Sequence, residues 1–145
     1  ICGSFEPTFD WRVTGDEDSF VIGDLRFTLS ATDHYIETHA IRVDDPEGRS
    51  IVYSADTGPD WPLTRLGTDI DLALLEATYG TDEERGALLH LSASDAGAMA
   101  RVAGARRLVL THFWPDTDLD VHACNAEAAY GAPVTIASPN ERYLL

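Results

Sequence analysis

Three short runs of this chain each end an apolar stretch on a side chain that can hold a metal ion. They are Leu29-Ser30-Ala31-Thr32-Asp33-His34, Ile51-Val52-Tyr53-Ser54-Ala55-Asp56-Thr57-Gly58 and Leu108-Val109-Leu110-Thr111-His112. Two imidazoles and one carboxylate suit zinc, manganese or iron. A strand end holds a side chain still while leaving it open to a ligand. His34, Asp56 and His112 are therefore the candidate metal ligands. Singly, each has a plainer reading: His34 as a hydrogen-bonded structural residue, Asp56 in an Asx turn with Gly58, His112 capping the turn at Phe113-Trp114-Pro115.

The elements that must position them follow from local pattern. Phe20–Ile22 and Leu25–Ser30, joined by Gly23-Asp24, predict a hairpin. His39–Val43 and Ser50–Ser54 read as strands around the turn Asp44-Asp45-Pro46-Glu47-Gly48. Asp60–Leu66 predicts a short helix after Gly58-Pro59, and the continuous apolar run Asp71–Glu76 a buried strand. Ser92–Ala103 is the clearest helix. Ser92 can cap it with Asp95 three residues on, Ala96, Met99, Ala100 and Ala103 form its apolar face, and Gly104 closes it. Arg107–Thr111 predicts a strand, Leu119–Tyr130 a helix ended by Gly131, and Pro133–Ala137 and Arg142–Leu145 two last strands. Residues 1–18 read as irregular. Strands come first, then strands alternate with helices, which is an α/β (α+β) pattern in one domain spanning 1–145.

The chain has 145 residues and a formal charge of -15, with ten Arg and no Lys. So acidic a surface disfavours nonspecific binding to nucleic acid or an anionic membrane. It does not exclude a phosphate substrate, because bound dications dominate the local field. Cys2 and Cys124 are too few for a disulfide framework, so free thiols and a cytoplasmic setting are expected. No stretch is long and apolar enough to span a bilayer.

Four segments together carry a resemblance. Tyr53-Ser54-Ala55-Asp56-Thr57-Gly58, Leu75-Glu76-Ala77-Thr78-Tyr79, His90-Leu91-Ser92-Ala93 and Leu110-Thr111-His112 resemble the metallo-β-lactamase superfamily, and within it the ribonuclease Z and phosphodiesterase-like branch. His34, followed by Thr38, Ala40 and Arg42, resembles that family's strand-end histidine. The resemblance implies an αββα sandwich with two divalent metal ions, zinc in the first instance and manganese or iron as alternatives, at one edge of its sheets. It implies that Asp56 bridges both metals, that His34 holds one and His112 the other. It implies that His90 faces the substrate outside the metal shell, oriented by Glu76, and passes a hydrogen bond or proton to the scissile phosphate or leaving group. Leu75 departs from the histidine that ribonuclease Z proteins commonly carry there, which weakens a tRNA-processing reading.

The larger departure is an absence. The family's His-x-His-x-Asp-His motif lies upstream of the position of His34, and none of the 33 residues before His34 is a histidine. The chain thus resembles the C-terminal half of the fold. One sheet face is then expected to lie uncovered, at about 25 cal/mol for each Å² of apolar surface left wet. The site would need the missing N-terminal half, and a homodimer is the assembly the family suggests. A small phosphodiester or cyclic phosphate is the expected substrate, with nucleic acid disfavoured. The alternatives are an ester, lactone or thioester, or a non-catalytic remnant acting as an interaction module. His39 and His122 read as structural or exposed. Trp61 and Trp114 follow the ligand loops and read as packing before pocket walls.

Overall fold

The computed structural model describes residues 11–84 and 89–145. Cys2 and the first ten of the residues expected to be irregular lie outside them. Among the described residues, seven strands form one sheet: β1 (Ser19–Ile22), β2 (Leu25–Ala31), β3 (His39–Asp44), β4 (Ser50–Tyr53), β5 (Leu72–Glu76), β6 (Leu108–Thr111) and β7 (Thr135–Ile136). They lie side by side in chain order. Pairing is antiparallel from β1 to β4 and parallel from β4 to β7. Helix α1 (Ala93–Val102) links β5 to β6, and α2 (Leu119–Tyr130) links β6 to β7. This is a mixed α/β sheet.

Local chemistry explains the boundaries. Gly23 at φ 60 supplies the positive φ that the first position of a two-residue II′ hairpin turn requires. Ser92 and Asp95 form a reciprocal capping box at the start of α1, Asp substituting for the usual Glu. Asp118 caps α2, and Gly131 ends it in the left-handed region at φ 87.

Two expectations are corrected. The helix expected over Asp60–Leu66 is only a 3-10 turn, Leu63–Leu66. Pro62 pushes the preceding Trp61 out of the helical region, so the turn starts after it. The strand expected over Arg142–Leu145 does not form. There the backbone is held side chain to main chain, with Arg107 Nη1 donating to the Leu144 carbonyl at 2.6 Å, and no ladder builds on it.

Both helices pack on one face of the sheet. Ala40, Val52, Ala73, Leu75, Leu108 and Leu110 point to them and share a core with Ala93, Ala96, Ala100, Ala126 and Tyr130. The helices approach so closely that a Cβ on Gly97 would lie 2.4 Å from the Ala126 carbonyl. Only glycine fits there. The opposite face carries the alternate residues. Registered neighbours Leu29, Ile41, Tyr53, Leu74 and Val109 form one row across it, and Phe27, Val43, Ile51 and Leu72 a second. Neither α-helix covers this apolar face. Tyr53 is 37% exposed and Leu25 and Ile22 are exposed as well, while Leu29, Leu72 and Val109 in the same rows are buried.

Candidate metal centre

β2, β4, β5 and β6 run in one direction, because two antiparallel steps separate β2 from β4 and parallel pairing joins the rest. Their C-terminal ends therefore share one sheet edge. His34 follows β2 by three residues, Asp56 follows β4 by three, Glu76 is the last residue of β5, and His112 directly follows β6. His90 arrives on the segment before α1.

Asp56 lies between two imidazoles. Its Oδ2 is 4.0 Å from His34 Nε2 and its Oδ1 is 3.5 Å from His112 Nε2. The rings of His34 and His90 are 5.0 Å apart between centroids, and those of His90 and His112 5.3 Å apart. One ligand atom each from His34, Asp56 and His90 lie within 4.8 Å of one another, as do one each from Glu76, His90 and His112. The geometry thus places His90 as near to the ligand cluster as its neighbours.

The Nδ1 atom of every one of these imidazoles is engaged by the protein. His34 Nδ1 is 2.9 Å from the Leu89 carbonyl, His90 Nδ1 is 2.8 Å from Glu76 Oε1, and His112 Nδ1 is 2.9 Å from Thr78 Oγ1. Such partners fix ring orientation and favour a free Nε2. The donor set fits a divalent metal: nitrogens held by outer partners, and a carboxylate with one oxygen toward each of two imidazoles.

Glu76 is the hub. It is fully buried. Besides His90, its Oε1 accepts from the Thr57 amide at 2.8 Å. Its Oε2 accepts from the Thr78 hydroxyl at 2.7 Å and the Thr78 amide at 3.3 Å. A buried carboxylate is tolerated only when its lone pairs are so filled. Through these bonds one side chain ties the Asp56 loop and the His90 segment together directly, and reaches the His112 loop by way of Thr78. The His34 loop is pinned separately. The Thr32 hydroxyl donates to the Asp56 carbonyl at 2.8 Å, and the Gly58 amide donates to the Asp33 carbonyl at 2.5 Å.

His112 and Ala55, which precedes Asp56, both hold positive φ, at 60 and 50. Such backbone is costly for a residue with a Cβ and persists where the surroundings impose it. Tyr53 borders the site. Burial first, then the negative charges of Asp56 and Glu76, raise its phenol above the ordinary tyrosine value.

Trp61 is buried and donates to Ser30 Oγ at 3.0 Å, so it is packing. Trp114 is exposed, and Tyr35 is exposed with its ring 4.3 Å from that of His34. His122 is fully buried in the structure and His39 is half-buried. Residue reading missed Thr57, Thr78 and the Leu89 carbonyl. Their contacts span 19, 34 and 55 residues, except for the local bonds of Thr78 to Glu76.

The family described as beta-lactamase superfamily domain matches residues 4–113, and the chain belongs to it. An uncharacterized protein of Mycobacterium leprae is 34% identical over 135 residues, covering 93% of this chain and 48% of the relative. Ribonuclease Z of Myxococcus xanthus is 42% identical over 94 residues, covering 62% of this chain and 31% of that protein. Among solved structures, the metallo-beta-lactamase fold protein YhfI from Bacillus subtilis is similar with a TM-score of 0.79 and 25% identity, over 86% of this chain and 51% of that one. The short form of human tRNase Z is similar in fold, with a TM-score of 0.62 and 24% identity, over 83% of this chain and 44% of that one. The chain spans about half the length of the Mycobacterium leprae relative and about a third of the ribonuclease Z. Among the described residues, no helix is long and apolar enough to cross a membrane.

Proposed function

We propose that this chain supplies one half of a dinuclear, metal-dependent hydrolase site whose substrate is a small phosphodiester. The observation that carries the reading is the set of imidazoles with Nδ1 already engaged around the divided carboxylate of Asp56. His34, Asp56 and His112 would hold two divalent ions, zinc first, with manganese or iron as alternatives. When bound, such a pair supplies a water-derived nucleophile at neutral pH and stabilises charge on the scissile group. His90, fixed by Glu76, would turn its other nitrogen to the substrate and donate a hydrogen bond or proton to the leaving group. The net charge of -15 supports a small substrate over a long RNA. An ester, lactone or thioester offers the same electrophile to the same nucleophile and is the competing substrate class.

The site would be completed by a second layer on the open apolar face, which supplies the remaining ligands. A non-catalytic interaction module is the contrary reading. The absence of a His-x-His-x-Asp-His motif from these 145 residues favours it.

Metal content by mass spectrometry separates the two. It is measured on this chain and on the product of its whole reading frame. Near two ions per longer chain, with little in the 145-residue chain, is the expected result. No metal in either sinks the catalytic reading and leaves the module.

A further inference from the structure

We infer that Thr78 is a positioning residue that sets which nitrogen of His112 faces the site, by carrying the influence of Glu76 across a gap the carboxylate cannot span. Its purpose rests on the metal-site reading above; the hydrogen-bond argument does not. Glu76 Oε2 lies 4.0 Å from His112 Nδ1, beyond hydrogen-bond reach. The Thr78 hydroxyl fills that gap, 2.7 Å from Glu76 Oε2 and 2.9 Å from His112 Nδ1.

A hydroxyl has one hydrogen and two lone pairs. The carboxylate oxygen only accepts, so the hydrogen goes to it in the shorter, charge-assisted bond. The His112 carbonyl, at 3.2 Å from the same hydroxyl, is the weaker competitor. A lone pair of Thr78 Oγ1 then faces Nδ1, which must carry hydrogen. Nε2 is left with its lone pair, and Nε2 is the nitrogen 3.5 Å from Asp56 Oδ1. His90 receives the same instruction from Glu76 directly. One buried carboxylate thus fixes the tautomer of two imidazoles, one through a threonine. His112 needs the help more, because its side chain is 44% exposed where that of His90 is 8% exposed. A solvated imidazole is otherwise free to carry its hydrogen on either nitrogen.

The test is the ring tautomer of His112, read from long-range proton–nitrogen correlations on the 15N-histidine-labelled, metal-free chain at a pH where the ring is neutral. The native chain and Thr78→Ser are expected to carry hydrogen on Nδ1, and Thr78→Val to shift toward Nε2–H. Zinc affinity is then measured with Zn²⁺ alone on whichever form loads metal. Thr78→Val is expected to lose about 10- to 100-fold and Thr78→Ser to stay near native. Hydrogen on Nε2 in the native chain overturns the inference, and this measurement decides even where Thr78→Val fails to fold. A folded Thr78→Val with the native tautomer also overturns it, whatever its affinity. A shifted tautomer with unchanged zinc affinity upholds the role of Thr78 and instead removes His112 from the ligand set.

Discussion

The two faces of the sheet present opposite problems. On the helix side, Ala73, Leu75, Leu108 and Leu110 meet α1 and α2 and lose nearly all contact with water. On the other side, Ile41, Val43, Ile51 and Leu74 are only partly buried and Tyr53 is exposed. Both faces are apolar, yet only one is covered by helices. Apolar surface stabilises a fold when something removes it from water. Among the described residues, the helix side is closed, whereas the other side mixes buried Leu29, Leu72 and Val109 with partly exposed neighbours. The candidate site sits at their shared edge, and its hub Glu76 shares the side of Leu72 and Leu74.

Core substitutions test that difference most strongly. Leu110→Ala, on the helix side, is expected to cost about 2–5 kcal/mol in urea unfolding. Leu74→Ala, on the open side, is expected to cost less than about 1.5 kcal/mol in this chain, because less area is removed from water there. Equal costs for the two would show that the open face is already filled. If the open face is covered in a longer assembly, the Leu74→Ala cost rises there toward the Leu110 value.

Next in size is the hub. Glu76→Gln turns an acceptor of four hydrogen bonds into a group with its own donors, set against Thr57, Thr78 and His90. A loss of about 3 kcal/mol is expected by the same unfolding measurement. A loss within experimental error would show that the strand-end loops hold themselves without it.

Gly58→Ala probes the pin on the His34 loop. Its new Cβ would lie 2.6 Å from Asp33 Oδ2 and 3.2 Å from the Asp33 backbone. Relief requires the residue before His34 to move. A cost of about 1–3 kcal/mol is expected, with metal uptake reduced beyond what the lost stability explains. Native uptake would show that His34 tolerates the shift.

The smallest effect is expected on the helix side. Tyr130 donates to the Ala105 carbonyl at 2.6 Å, and Tyr130→Phe should cost about 1 kcal/mol. Burial raises the Tyr130 phenol above its ordinary value. A raised folded pKa means that the unfolded chain ionises first as pH climbs. Its contribution is therefore intact below about pH 10 and lost as pH rises through the folded value. Tyr130→Phe should flatten the alkaline loss of stability, measured by unfolding from pH 9 to 11.5. An unchanged alkaline limb would place its cause in another tyrosine.

Much of the fold was legible locally. The Ser92–Asp95 box, Gly131 and the Gly23-Asp24 turn are signals within a few residues, and each lies where it was read. The Asp60–Leu66 helix was misread because the weight of Pro62 was missed, and Arg142–Leu145 because an apolar run without a partner strand is not a strand. The open face was half legible. Leu25, Phe27 and Leu29 alternate with Arg26, Thr28 and Ser30 along β2, which declares one apolar side. β5 and β6 are apolar at nearly every position, so parity there says nothing about which side is covered.

By itself the sequence determined which side chains could bind and that each follows an apolar strand: His34, Asp56, Glu76 and His112 all sit at or just past a strand end. It also held the pattern of motifs that resembles the family. Only the tertiary structure decided that these ends meet. That required β2, β4, β5 and β6 to run one way in adjacent register, and pairing partners are chosen by burial and hydrogen bonds across the sheet rather than by neighbours in the chain. Only the tertiary structure, likewise, set Thr78 between Glu76 and His112. A hydroxyl reads alike in any strand-end loop until the fold brings a second loop within 3 Å of it.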